Sequence, residues 1–385
     1  MTKKHIYTLL YFVLPLLAGC TDDYLYDGDG NPVSSENVSF SAVVTAAGDR
    51  QTRAAYVPYE PLELHNDGDD FPIYLHTYEH PLDEETADVE PATRGVQVNS
   101  AKDLFDIHKS FDVRGDMESD GSSYITMQDT KLVSTGGYNI WTTEHPQRWP
   151  GNDRIAFNAV APHGHLSKLQ NAVYAKNEIR FSYTALKGNG TNDAEAQTDL
   201  LMATATMNRR ETEPTNYRVP LQFNHALSAI KFAVRDVIAG KIVSIAIKGI
   251  NGSGDCVFTA DSDSKNGKFE WANQSNIQTY TQVFNHEIST GNYDPTDESQ
   301  DKLLTDAMPE KTFMVIPQEI PEDAEVEIVV ERYNVAPLPS TITVRGKIKA
   351  NNVQEWKPGY EYVYTVSTSK DNWVYVLRGG VMGLK

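Results

Sequence analysis

The sequence predicts an all-β protein built as a β-sandwich, and three observations predict it. Apolar and polar residues alternate at a period of two, as at Val326, Ile328 and Val330. Gly, Asn, Asp and Pro cut these runs every dozen or so residues, the rhythm of short strands joined by turns. Helical periodicity is sparse. The chain has 385 residues, room for two domains at roughly 100–200 residues each.

Residues 1–19 have the form of a secretory signal peptide. Lys3 and Lys4 precede an apolar run from Ile6 to Ala18, and small residues close it. The run is short for a bilayer crossing, and Pro15 interrupts it. Its end, Leu17-Ala18-Gly19-Cys20, resembles the lipobox of bacterial lipoproteins. That resemblance makes Gly19–Cys20 the expected signal-peptidase site and Cys20 the expected point of lipid attachment, so the mature chain is expected outside the cytoplasm. Residues 20–36 follow as an acidic tether, opening Thr21-Asp22-Asp23 and carrying Asp27-Gly-Asp-Gly-Asn-Pro32. The acidic start is similar to an export tag for the outer face of the outer membrane.

The first folded strand is expected at Val38, Phe40 and Ala42. Ser100 is placed to cap a short helix through Leu104 and Ile107, with Asp103 on its first turn. Strands follow at Ile155, Phe157, Ala159 and Ala161, at Ile342, Val344 and Ile348, and at Tyr360, Tyr362, Tyr364 and Val366. Between Leu221 and Val234 the apolar residues switch from odd to even positions, which predicts a bulge or corner near Ser228. Asn266-Gly267 is a hairpin turn. Residues 186–198 and 207–218 are polar and are expected as loops, the second as the boundary between domains 37–215 and 216–385.

Charge limits the partners. The formal net charge is −19 and becomes −21 once Lys3 and Lys4 leave with the leader. So acidic a surface disfavours nucleic acid and anionic lipid headgroups, and membrane attachment then falls to the lipid on Cys20. With Cys20 lipidated only Cys256 remains, so the chain forms no internal disulfide and Cys256 is expected as a buried thiol.

Motifs for chemistry are missing. No HExxH, G-x-S-x-G or phosphate-cradling loop is present. His163-Gly-His165 sits beside Pro162 as a turn, and the calcium-loop likeness of Asp27-x-Asp29-x-Asn31 is broken by Pro32. His225 lies in an apolar strand and is expected as a satisfied core histidine. The tryptophans at 141, 149, 271, 356 and 373 suit a core more than a sugar-stacking face. No catalytic residue, metal site or cofactor is expected.

A set of short motifs, in order, resembles the Bacteroidetes fimbrillin family, whose members are pilus subunits made as lipoprotein precursors. After the lipobox come Val38-Ser-Phe-Ser-Ala-Val43 and Gln51-Thr-Arg53-Ala, then Phe71-Pro-Ile-Tyr-Leu-His-Thr77 and Thr93-Arg-Gly95. Arg148-Trp-Pro-Gly151, Asp199-Leu-Leu-Met-Ala-Thr204, Phe223-Asn-His-Ala-Leu-Ser228 and Trp356-Lys-Pro-Gly-Tyr-Glu-Tyr362 complete it. The resemblance implies two transthyretin-like β-sandwich domains in tandem and assembly by strand donation. In that scheme a protease cuts after Arg53, or after Arg50, and frees the first strand. A neighbouring subunit's terminal strand fills the vacated groove, and Trp373, Val374, Tyr375, Val376 and Leu377 are the donor candidates. The partners implied are other subunits, joined head to tail by strand exchange, and a host protein or glycan receptor. The alternatives are a surface lipoprotein that binds glycans without polymerising and a lipid-anchored hydrolase.

Overall fold

The computed structural model describes residues 25–26, 32–33, 36–45, 57–66, 72–81, 98, 100–133, 140–164, 169–234, 240–260, 267–288, 302–303, 309–333, 340–349, 353–368 and 370. Strand makes up 63% of them and helix 8%, so the fold is mostly β, as the period-two alternation requires. No helix among the described residues is long and apolar enough to cross a membrane.

The chain weaves between a closed seven-stranded barrel and a thirteen-stranded sheet. β1 (Ser39–Thr45) is a barrel strand. β2 (Leu62–Asn66) and β3 (Ile73–Pro81) pair with each other in the large sheet. A helical turn, α1 (Ala101–Asp103), continues as a π-turn over Leu104–His108. The barrel then receives β4 (Asp112–Met117), β5 (Ser123–Leu132), β6 (Trp141–Thr143) and β7 (Ile155–Ala161). β8 (Gln170–Ala175) and β9 (Glu178–Thr184) form a hairpin at the end of the large sheet. After α2 (Asp193–Ala196), β10 (Leu201–Met207) and β11 (Arg218–His225) complete the barrel, in the order β7-β10-β11-β1-β6-β5-β4. The rest of the large sheet comes from β12 (Ser228–Val234), the long pair β13 (Gly240–Ala260) and β14 (Gly267–Ile288), β15 (Phe313–Val315), β16 (Glu325–Arg332), β17 (Thr341–Lys347), β18 (Tyr360–Ser367) and the two-residue strands Val57–Pro58 and Lys302–Leu303.

Each body has its own core. Val38, Phe40, Phe111, Trp141, Phe157 and Phe223 fill the barrel, while Phe232, Phe258, Tyr280, Trp356 and Tyr364 belong to the core of the large sheet. β7 is buried along both faces because Phe157 and Ala159 point into the barrel while Val160 joins the other core. The phase change near Ser228 is a corner. β11 ends at His225 in the barrel, Ala226 and Leu227 cross over, and β12 starts in the large sheet.

Two polar segments are more ordered than their composition suggests. Residues 186–198 contain α2, pinned by fully buried Asp193, whose carboxylate accepts from Gly190 N at 3.0 Å and Thr281 N at 2.9 Å. Residues 207–218 join β10 to β11 through a 3-10 turn at Arg210–Thr215, within the barrel.

Candidate assembly groove

β1 and the residue before it place four apolar side chains on one face, as an extended chain of period two must. Val38, Phe40 and Ala42 are fully buried and Val44 is 2% exposed. The Phe40 ring meets Phe157 edge-on at 5.4 Å and Phe111 at 6.4 Å. Phe111 in turn packs on Trp141 at 5.1 Å and Phe223 at 5.0 Å. These contacts make a dry slot shaped by rings from β6, β7 and β11 and from the approach to β4.

The two edges of β1 are held unequally. Toward β11 it pairs in parallel along its whole length, from Ser39 opposite Arg218 to Thr45 opposite Asn224. Toward β6 it pairs only at Ser39–Thr142 and Phe40–Trp141. Just before β1, Val38 N donates to Gln147 O at 2.7 Å and Trp149 N donates to Glu36 O at 3.0 Å. Lifting β1 out would therefore open one continuous main-chain edge on β11 and an apolar channel beside it.

Topology isolates β1 further. It is the one barrel strand that precedes residues 46–56, and the next described strand, Val57–Pro58, pairs with β3 in the large sheet. Tyr59 fixes that second attachment by donating to Glu79 Oε2 at 2.5 Å, and Lys357 Nζ donates to Glu79 Oε1 at 2.6 Å. Glu79 is buried, and this charged pair ties the start of the large sheet to the approach to β18.

The residues singled out for processing and donation, namely Gly19, Cys20, Arg50, Arg53, Trp373, Val374, Tyr375, Val376 and Leu377, all lie outside the described residues. So do Asp27, Asp29 and His165. Of the other motifs, two are brought together. Asp199 and His225 meet at 2.8 Å between Oδ2 and Nδ1, both almost wholly buried. The same carboxylate oxygen accepts from Val98 N at 3.0 Å. His225 is thus a satisfied core histidine, and its partner Asp199 was not evident from sequence spacing. His163 pairs instead with Asp112 at 2.8 Å, which pushes the imidazole pKa up. Burial, set against the His163 hydrogen bond, pushes the Asp112 carboxyl up as well.

Cys256 is buried, and desolvation raises its thiol pKa far above the ordinary value. Trp141 and Trp356 are fully buried, and the half-buried Trp271 donates from Nε1 to Ala226 O at 3.1 Å. Among the described residues no three His, Cys, Asp or Glu side chains are grouped to hold a metal ion.

A closed seven-stranded barrel joined to a large sheet makes this a mostly β protein. The family model described as fimbrillin-like matches residues 99–377, and the chain belongs to that family, which is non-enzymatic and structural. Solved structures similar to it include a proposed cell adhesion protein from Bacteroides uniformis, with 12% identity, a TM-score of 0.38, and coverage of 67% of this chain and 89% of that one. A proposed cell adhesion protein from Bacteroides thetaiotaomicron has 14% identity and a TM-score of 0.34, covering 90% of this chain and 99% of that one. The fimbrial anchor protein Mfa2 from Porphyromonas gingivalis has 10% identity and a TM-score of 0.23, with coverage of 76% and 78%. No curated protein matches the chain.

Proposed function

We propose that this chain is made as a cell-surface lipoprotein, anchored through Cys20 in the outer membrane until a protease removes the lipidated segment, and that it then serves as a structural or adhesive pilus subunit with β1 as its exchangeable strand. The observation that carries the reading is the placement of β1: it fills a barrel slot, and residues 46–56 and strands of the large sheet separate it in sequence from the other barrel strands, which run from Asp112 to His225. A cut after Arg53 or Arg50 would leave β1 held by noncovalent contacts only. A strand from a second subunit, with residues 371–377 as the donor candidate, would then pair with the β11 edge and seat its own apolar residues in the slot. Such a contact runs head to tail and does not close, so it propagates as a filament.

In this reading the barrel is the first of two transthyretin-like units and the large sheet is the body of the second. Residues 57–66, 72–81 and 170–184 belong to the first half of the chain but pair in the second unit, so the processed subunit stays in one piece. The buried positions of Trp141 and Trp356 do not favour a sugar-stacking face.

The test is limited digestion of the purified chain with an arginine-specific protease, followed by unheated gel electrophoresis and mass spectrometry. Cleavage after Arg53 or Arg50 with loss of residues 20–53 and a detergent-resistant ladder is the expected result. Cleavage there with only monomers recovered overturns the reading.

A further inference from the structure

Where the barrel meets the large sheet, three ionisable side chains from three segments converge: His108 at the end of the π-turn, Asp199 ahead of β10, and His225 at the end of β11. His225 and Asp199 are 1% and 0% exposed at their side chains. Asp199 Oδ1 and His108 Nε2 are buried and have no hydrogen-bond partner among the described residues. The three do not form a metal-holding set.

The segment that carries His108 covers the barrel core. Leu104 is fully buried in that core, and the Phe105 ring lies 6.2 Å from Trp141. Val98, also buried, is tied to the Asp199 carboxylate through its amide. Ser100 caps the turn, its Oγ accepting from Asp103 N at 3.1 Å. Val98 and residues 100–108 thus pack as a plug against β6, with Val98 held by Asp199 and His108 at the other end.

We infer that this cluster is an acid-sensitive latch: protonating His108 lifts the plug of residues 100–108 and exposes the barrel interior next to β1. An imidazole whose Nε2 is buried without a partner tolerates the neutral form, whereas its charged form gains most by reaching water. The titratable groups that face His108 from the packed elements are Asp199, whose carboxylate and backbone favour the charged form, and His225, which opposes it. Beyond them lies Tyr183 of β9, within electrostatic reach of Asp199. On its own element Lys102 pairs with Asp106, and Lys109 lies over the Phe105 ring. Desolvation dominates and lowers the His108 pKa from 6.5 to about 4. Those two values make opening about 20-fold more frequent at pH 5 than at pH 7, if the opened plug leaves His108 in water. The latch operates whether or not β1 is exchanged.

The experiment is amide hydrogen exchange of the mature full-length protein at pH 7 and pH 5, read as protection factors for peptides spanning 98–108. Wild type is expected to lose protection about 20-fold, and His108→Gln to change less than about twofold between the two pH values. Unchanged wild-type protection, or an equal loss in His108→Gln, overturns the inference. Should the variant fail to fold, NMR titration of wild-type His108 decides: an imidazole still neutral at pH 5 supports the latch, and one titrating near its ordinary pKa of 6.5 removes it.

Discussion

Replacing Phe40 by alanine tests the seat of β1 directly. The ring is fully buried and has edge-on partners in Phe157 at 5.4 Å and Phe111 at 6.4 Å. Truncating a buried phenylalanine costs about 3–5 kcal/mol, the larger values going with cavities that cannot collapse. Here β1 is fixed by β11 along one edge and by β6 and the 147–149 segment along the other, so its backbone has little room to sink into the void. A loss near 4 kcal/mol is expected, of which about 0.5–1.5 kcal/mol is the aromatic contact itself. Phe40→Leu, which keeps most of the volume, should lose about 1–1.5 kcal/mol. The assay is urea unfolding followed by circular dichroism, with the m-value checked for constancy. A loss below about 1 kcal/mol for Phe40→Ala, the range of a surface change, would refute the placement of β1 in the barrel wall.

The other expectations rest on different contacts. Asp199→Ala strands His225 Nδ1 and Val98 N in a dry site and should cost about 2–4 kcal/mol by thermal melting, with Asp199→Asn losing less because one acceptor survives. Gly267→Ala would set a Cβ 1.9 Å from Phe258 Cε2, a clash worth about 1–3 kcal/mol in the same melting assay. Cys256, buried and with its thiol pKa raised by desolvation, should resist a disulfide reagent at pH 8 in the native protein and react at once in denaturant. Stability should fall with acid. The His108 pKa is lower in the folded chain, about 4 against 6.5 unfolded, so the unfolded state takes up the proton first; the contribution is full at pH 7 and declines through that window by about 3 kcal/mol. Denaturation at pH 7, 6, 5 and 4 in wild type and His108→Gln measures it.

Much of this architecture is written in local pattern. The alternation at Val38, Phe40 and Ala42 marks a strand because every second side chain must leave water, and the odd-to-even shift before Ser228 marks the crossing between two cores. The cap at Ser100 is legible for the same reason, since its acceptor serves an amide only three residues on. What local pattern cannot carry is pairing between distant segments. Nothing in the sequence between Leu62 and Pro81 says that it sits between β17 and β18, whose residues lie more than 250 positions later. The Asp199–His225 contact is equally silent, because a buried carboxylate and a solvated one look alike in sequence until the fold brings the partner to it. Polar composition marks 186–198 as a loop, which it is apart from the turn Asp193–Ala196, but it does not show that Asp193 faces inward to serve two backbone amides.

The measurement that bears most directly on the central claim is the intact mass and N-terminal sequence of the protein taken from the surface of its own cells. A chain starting at Ala54 or Gln51 without lipid is the predicted result, because it leaves the β1 slot free for a neighbour's strand. A chain still starting at lipidated Cys20, with β1 in place in every assembled copy, would contradict strand exchange.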